Sequence, residues 1–536
     1  MEIPERTPTQ EPINSNAPDT IDVINPITLE KLYHIEETGQ HGVDKVYKLA
    51  HEVQPKIAAL PVSERVKEVL KLRDYIIENR EILMTKVIQE TGKSRVDAFT
   101  SELFEICDVI HVFSHKAKKV LKDQKVPTPI VLMGKKSKVI YQPLGVVLII
   151  PPWNYPLYQG LVPSIMAFLA GNAVIVKPSE VTPLKGVFEE IYEKSGFIKN
   201  AIQVVYGTGD TGKRLIDSRP DKIHFTGSCT TGKKIMAQAS QYLIPIDLEL
   251  GGKDPSIVFD DVYLERTVNG VMWGGFTTAG QSCTSIERLY VQENIYDEFV
   301  AMVTDKTKKL RPSHAQRNIE DPADCDVGCI TTEFQVKIVE DHIRDAVEKG
   351  AKVMCGGSRE GNTRHFLPTI IVDVDHSMKI MTEETFGPVI PIMKFKTEEE
   401  AIKYANDSPY GLSASVWSKD LKRCERIARA LVTGNVSINN HMLTEGNPHL
   451  PFGGVKESGF GRYKGDAGLL TFSNSKSILV DKQSKLIEPH WYPFTATKYA
   501  MLNDIVTSFF SKSKNWIKFA VTGMKLDTIG NKEKIK

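Results

Sequence analysis

From Leu144 onward the sequence alternates short, fully apolar runs with longer amphipathic stretches, and this alternation restricts the fold more than any other feature. LGVVLII ends at Pro151-Pro152. AVIVKPSE, IQVVYG, KIHFTGS, IPIDLELGG and PSIVF follow, with helical stretches between several of them. Runs apolar on both faces and separated by helices predict a mostly parallel sheet covered on both sides. Ligands of such sheets collect at the carboxyl ends of the strands. The polar residues that stand out sit there: Asn154 after LGVVLII, Lys177 after AVIV and Gly227 after KIHF. A second α/β pattern runs from about 261 to 452, with helices expected near 295–310, 333–349 and 398–406. Upstream, apolar residues at helical spacing between Val43 and Lys93 predict helices, with Gly92 as a stop.

At 536 residues the chain exceeds what one core organises, so two or three domains are expected. Lys and Arg number 68 against 67 Asp and Glu, which leaves no global field to recruit nucleic acid. Seven cysteines are too few for a disulfide scaffold and suit a reducing compartment. The Pro- and Thr-rich N-terminus lacks the apolar segment of a secretory signal. The most apolar stretch, Leu161 to Val176, is interrupted and too short to span a bilayer, so a cytoplasmic protein is expected.

Three short segments carry candidate chemistry. Cys283 follows a Gly280-Gln281 turn among small residues, a setting that can expose a thiol at a cleft wall. Glu249 ends a strand inside Leu248-Glu249-Leu250-Gly251-Gly252-Lys253, and a carboxylate buried among apolar residues has the raised pKa of a general base. Asn154, in Pro151-Pro152-Trp153-Asn154-Tyr155-Pro156, offers an amide on a rigid turn, suited to donate to an oxyanion.

PPWNYP, KPSE, FTGS, LELGGK, GQSC, EETFGPV and PFGGVKESG together resemble the NAD(P)-dependent aldehyde dehydrogenase superfamily, in the family's order between residues 152 and 459. The resemblance implies an α/β fold with a Rossmann-like cofactor domain, a second α/β catalytic domain and a small β oligomerisation excursion. It divides the chain into a flexible leader (1–24), an NAD-binding domain (25–128 and 143–255), a catalytic domain (256–455), an oligomerisation arm (129–142 and 470–485) and an aromatic, basic tail (486–536). Cys283 would be the nucleophile and would pass through a thiohemiacetal and a thioester. Asn154 and the Cys283 N–H would hold the oxyanion, and Glu249 would activate the hydrolytic water. Lys177 and Glu180 resemble the pair that grips the adenosine ribose, and Glu180 favours NAD over NADP by repelling a 2′-phosphate. Gly227 and Ser228 open a helix toward the pyrophosphate. Trp153, Glu384 and Phe386 complete the cofactor set, and Tyr155 and Phe452 align with substrate-tunnel positions. The implied assembly is a homodimer or homotetramer, and no metal is called for.

The alternatives are a CoA-acylating or semialdehyde-specific enzyme of the same fold and a P-loop-type nucleotide triphosphatase. Glu249 speaks for hydrolytic release over CoA transfer. The P-loop resemblance at Gly227–Lys234 has Lys234 where a magnesium-binding Ser or Thr belongs. Gly207-Thr-Gly209-Asp-Thr-Gly212 matches a dinucleotide pattern literally but lacks its downstream acid. Cys325 and Cys329 have no second pair at zinc spacing. The tail carries Trp491, Tyr492, Phe494, Tyr499, Phe510 and Trp516 among interleaved lysines. That pattern fits a membrane interface, but fits better a helix covering apolar surface on the same or a partner subunit.

Overall fold

The computed structural model describes residues 20–132, 134–482, 487–533 and 535. They fall into two compact units, Met1–Lys122 with Tyr141–Asn474 and Asp123–Ile140 with Ser475–Lys536. Residues 1–19, most of the expected leader, lie outside the described residues. The leader boundary at 24 moves, because Thr20–Ile24 is a strand, β1, paired antiparallel with β2 (Lys31–Glu36).

In the larger unit the stretch read as helical becomes three helices, Gln40–Ala59, Val62–Glu78 and Arg80–Thr91. Gly92 ends the third at φ +75°, and its N–H donates to the Ile88 carbonyl at 2.8 Å. Strands β3 (Gln124–Val126) and β4 (Lys135–Pro143) leave for the smaller unit. The chain then builds a sheet from β5 (Val146–Ile150), β6 (Ala173–Val176), β7 (Ile202–Val204), β8 (Lys222–Gly227) and β9 (Ile246–Leu250). These five strands are parallel, in the order β9-β8-β5-β6-β7. All residues of β5 and β6 are buried, as is every residue of the helix Pro156–Leu169 between them. A segment apolar on every side can only be stable inside a core, and this explains the apolar stretch that was too short for a membrane.

The second sheet uses β10 (Pro255–Val258), β11 (Arg288–Gln292), β12 (Lys352–Cys355), β13 (Thr369–Val372), β14 (Val389–Phe395), β15 (Ser415–Trp417) and β16 (Ser437–Ile438). Their order is β12-β13-β14-β11-β10-β15-β16, parallel except for β12 on β13. Helices at Tyr296–Thr307, Glu333–Glu348 and Glu398–Asn406 lie where the sequence pattern places them. Four residues, Gly251–Asp254, connect β9 to β10, so the end of the first sheet is tied closely to the second.

The domain boundary at 455 does not separate the sheets. The chain returns as β17 (Gly459–Phe460), antiparallel to β9, with Gly459 opposite Glu249. Gly459 adopts φ +99°, and a β-carbon there would stand 2.0 Å from the Leu248 carbonyl oxygen, so only glycine allows this pairing. Phe452, Tyr463, Leu469 and Phe472 join the first sheet's core. The arm is likewise redrawn. β18 (Ser473–Asp481), β4 and β3 form a three-stranded sheet that begins at Gln124 rather than 129, and Phe472 belongs to the larger unit. In the smaller unit this sheet is grouped with the tail helices Ala496–Phe510 and Trp516–Lys532.

Candidate active site

The carboxyl ends of β5, β6, β8 and β9 carry the residues singled out from the sequence. After β5 the chain turns through Pro151–Asn154 into the buried helix at Pro156, and proline at its first position fits the fixed φ of a helix start. The turn leaves Asn154 buried, with Nδ2 donating to the Gln281 carbonyl at 2.9 Å. One amide hydrogen is spent there, and the other remains for a ligand. Tyr155 is buried beside it, its hydroxyl 3.4 Å from Thr278 Oγ1 and its ring 3.8 Å from the Lys93 ammonium.

Cys283 is presented by a strained turn. Thr278 and Ala279 both sit in the left-handed region, at φ 52° and 55°, and Gly280 follows at φ +70°. Such backbone is costly for residues with side chains and persists only where surroundings impose it. Buried Asp97 does so, accepting from Thr277 Oγ1 at 2.6 Å and from the Thr278 N–H at 3.0 Å. Gln281 fixes the next step, donating to the Thr278 carbonyl and accepting from the Thr331 N–H. The result leaves Cys283 half-buried, whereas its neighbours Ser282 and Thr284 are fully buried. Burial first, then the charges of Glu445, Asp254, Glu384 and Glu249, pushes the thiol above its ordinary range. The thiolate is therefore not the resting form, and attack needs a proton acceptor.

Glu249 lies within electrostatic reach of that thiol. Its carboxylate is buried and neither oxygen has a hydrogen-bond partner among the described residues. Burial drives its pKa well up, with Asp247 and Glu445 adding to the rise and Arg462 and Lys464 opposing it. A buried carboxyl with no partner is costly, and a proton-transfer role accounts for it. A β-carbon on Gly453, at φ +157°, would stand 2.6 Å from Glu249 Oε1.

The remaining candidates form a second group along the same edge. Lys177 is buried after β6, with Nζ 3.3 Å from half-buried Glu180, and burial lowers its pKa. Ser228 caps the twelve-residue helix Cys229–Ser240, accepting from the Thr231 N–H at 3.3 Å. The literal glycine pattern at 207–212 opens a different helix, Gly209–Asp217. There Glu37 already accepts from the N–H and hydroxyl of both Thr208 and Thr211. Burial works against that carboxylate, yet these donors hold its pKa below the ordinary value. The Glu37 carboxylate thus fills the anion site of that helix from within the chain, whereas among the described residues no carboxylate accepts from the N–H groups at the Ser228-capped end. Trp153 meets Phe386 edge to face, with centroids 5.3 Å apart. Glu384 accepts from the Gly252 N–H at 3.0 Å, and burial raises it to about 8. A β-carbon on Gly251 would come within 2.3 Å of the same carboxylate, which explains the glycine pair. Phe452 is buried edge to face against Tyr463, so it lines no open passage in this conformation.

A half-buried cysteine on a strained turn, a pinned amide and an unpartnered buried glutamate meet at the ends of these strands. The model of the aldehyde dehydrogenase family matches residues 13–478. The chain belongs to the aldehyde dehydrogenase family.

Other members resemble it along most of its length. A 4,4'-diapolycopene aldehyde oxidase from Methylomonas sp is 41% identical over 442 residues, 82% of each chain. The chloroplastic betaine aldehyde dehydrogenase of Atriplex hortensis is 36% identical across 88% of this chain and 94% of its own. Among solved structures, a point mutant of betaine aldehyde dehydrogenase from Staphylococcus aureus, in complex with NAD+ and carrying a BME-modified cysteine, superposes with TM-score 0.82 at 34% identity. That match covers 90% of this chain and 98% of the other. The aldehyde dehydrogenase PutA from Anabaena variabilis gives TM-score 0.83 at 34% identity, over 89% and 100% of the two chains.

Sequence reading gave no role to several residues that hold this family member's site. Lys253 and Gln281 stood inside quoted motifs, so their position was the available signal. Asp97 and Glu445 gave none, because each reaches the site from a distant segment, and Glu287, only four residues after Cys283, gave none because its partners Lys253, Thr385 and Phe386 are distant. Glu445 accepts from Thr284 Oγ1 at 3.0 Å, next to the nucleophile, and the Lys464 ammonium donates to the Glu445 carbonyl.

Proposed function

We propose that this protein is an NAD-linked dehydrogenase oxidising an apolar aldehyde, long-chain or aromatic, to its carboxylic acid. The observation that carries the reading is the unpartnered Glu249 carboxyl in the same site as half-buried Cys283. The Cys283 thiol gives up its proton to water and Sγ bonds the aldehyde carbon, while the free Asn154 amide hydrogen and the Cys283 N–H hold the oxyanion. Bound NAD supplies the acceptor for the hydride that leaves this carbon. The acyl group remains on Cys283 as a thioester. Glu249 takes a proton from water, which attacks the thioester and frees the acid and the thiol. Arg462 and Lys464 favour the carboxylate form of Glu249 that this step needs.

The residues fit the dinucleotide. The Ser228-capped terminus offers N–H groups to the pyrophosphate, Lys177 and Glu180 meet the adenosine ribose, and Glu384 with Trp153 and Phe386 borders the nicotinamide end. Half-buried Glu180 disfavours a 2′-phosphate, and solved relatives complexed with NAD+ support the same preference. Aromatic Tyr155 and Tyr463 close to Cys283 favour an apolar substrate. A relative named for a diapolycopene aldehyde agrees with that class. Assembly as a homodimer or homotetramer through the β4–β18 arm, a cytoplasmic site and peripheral attachment to a membrane complete the reading. Initial rates of NADH formation with short, aromatic and long aliphatic aldehydes test it. The lowest KM is expected for long or aromatic chains, and a preference for acetaldehyde or for a carboxylate-bearing semialdehyde would overturn the substrate class.

A further inference from the structure

We propose that the C-terminal helical hairpin is a docking surface for an anionic lipid bilayer. This deepens, and rests on, the reading of the protein as a peripheral enzyme of apolar aldehydes. The helices Ala496–Phe510 and Trp516–Lys532 pack on each other, with Ser508, Thr522 and Leu526 buried, and Gly530 packs against Ile487 and Pro489. Phe509 lies 4.8 Å from Phe519 and 5.4 Å from Trp516, ring centre to ring centre. Thr495 and Asn515 cap the two helices. Buried Lys498 donates to the carbonyls of Trp491 and Pro493, both at 3.0 Å, and so fastens the Trp491–Phe494 segment to the hairpin.

The outer surface is apolar as well. Tyr499, Leu502, Val506 and Phe510 recur at three- and four-residue spacing along the first helix, with Tyr499 75% exposed. Ile517, Val521 and Met524 do the same on the second, with Ile517 80% exposed. Trp491, Tyr492 and Phe494 extend this surface. Soluble proteins rarely leave so many large apolar side chains of one short segment in water.

Charge selects the occupant. Residues 487–536 hold eight lysines against four acids, although the whole chain nets only +1. Lys512, Lys514 and Lys525 have no ion pair among the described residues, and Lys514 lies 6.0 Å from the rings of Phe509 and Trp516. A second copy of the tail would bring like charges together, whereas anionic headgroups complement them. Tryptophan and tyrosine mixed with lysine is the composition of a segment lying in the headgroup layer. Neither helix is long and apolar enough to cross a membrane, so the hairpin lies in the interface plane. Each lysine near such a surface strengthens binding about five-fold.

The test is co-sedimentation of the full-length protein with phosphatidylcholine vesicles, with and without phosphatidylserine. The variants are Lys512→Glu/Lys514→Glu/Lys525→Glu and Phe510→Ser/Ile517→Ser/Met524→Ser, with hexanal turnover as the check on folding. The wild type is expected to pellet with the phosphatidylserine vesicles, and the charge variant to bind them at least about 100-fold more weakly at unchanged turnover. The apolar variant is expected to lose binding as well. Equal partition into both vesicle types, or variants binding like wild type, would overturn the proposal. So would a fall in molecular mass of the variants by light scattering without loss of vesicle binding, which would assign the surface to a second copy. Protein that binds vesicles but oxidises no aldehyde would contradict the functional reading and leave the docking surface standing.

Discussion

Lys253 places its ammonium 2.6 Å from Glu287 Oε2, with neither side chain more than 4% exposed. Glu287 also accepts from the N–H groups of Thr385 and Phe386 at 3.0 and 2.8 Å. The pair therefore joins the Gly251–Asp254 link to the loop that carries Glu384 and Phe386, and Phe386 keeps φ 50° because that loop is held from both sides.

Removing one partner leaves a charge buried and alone. Glu287→Ala should destabilise the protein by about 3–5 kcal/mol. Lys253→Met combined with Glu287→Met should cost less than Glu287→Ala. Urea unfolding of the three proteins checks the order, and equal losses would mean that the pair acts only as packing.

Asn154 spends one amide hydrogen on Gln281 and keeps one for the oxyanion. Asn154→Ala should lower kcat on the order of 10²–10³-fold and leave NAD binding unchanged, as followed by protein fluorescence quenching. A fall in NAD affinity of the same size would make Asn154 a cofactor residue instead.

Glu249→Gln should still acylate but not turn over: one NADH per subunit in a rapid burst, then a steady rate at least about 100-fold down. Because the Glu249 carboxyl sits above its ordinary range, the wild-type steady rate should still be rising with pH above that range. A pH-independent rate, or a variant with no burst, would assign Glu249 elsewhere.

Glu384, raised to about 8 from 4.5, keeps a proton that the unfolded chain has already released between those values. The folded state then binds more protons, so this group's contribution to stability falls as pH rises through that window and is constant above it. Glu384→Gln should lose less stability than wild type between pH 5 and about 8, by urea midpoints. Parallel pH profiles would contradict the shift.

The chemistry was legible where one segment carries both the strand and the reactive group. Asn154 after β5, Glu249 at the end of β9 and the Gly280–Cys283 turn lie where local pattern put them, while their roles came from the family resemblance. What stayed hidden arises between segments far apart in sequence. Asp97 reaches Thr277, Glu287 reaches Thr385, and β17 pairs back onto β9. No periodicity encodes such contacts. The literal glycine pattern at 207–212 misleads for the same reason, since Glu37 arrives from elsewhere to fill its helix terminus. Phe452 kept its place but not its expected exposure, because Tyr463 covers it.

Peptide mass spectrometry after mixing enzyme, NAD and a long-chain aldehyde, with acid quench during the burst, is the most direct measurement. An acyl adduct on Cys283, stabilised in Glu249→Gln and absent from Cys283→Ala, is the predicted result. An adduct on any other of the seven cysteines, or turnover surviving in Cys283→Ala, would contradict it.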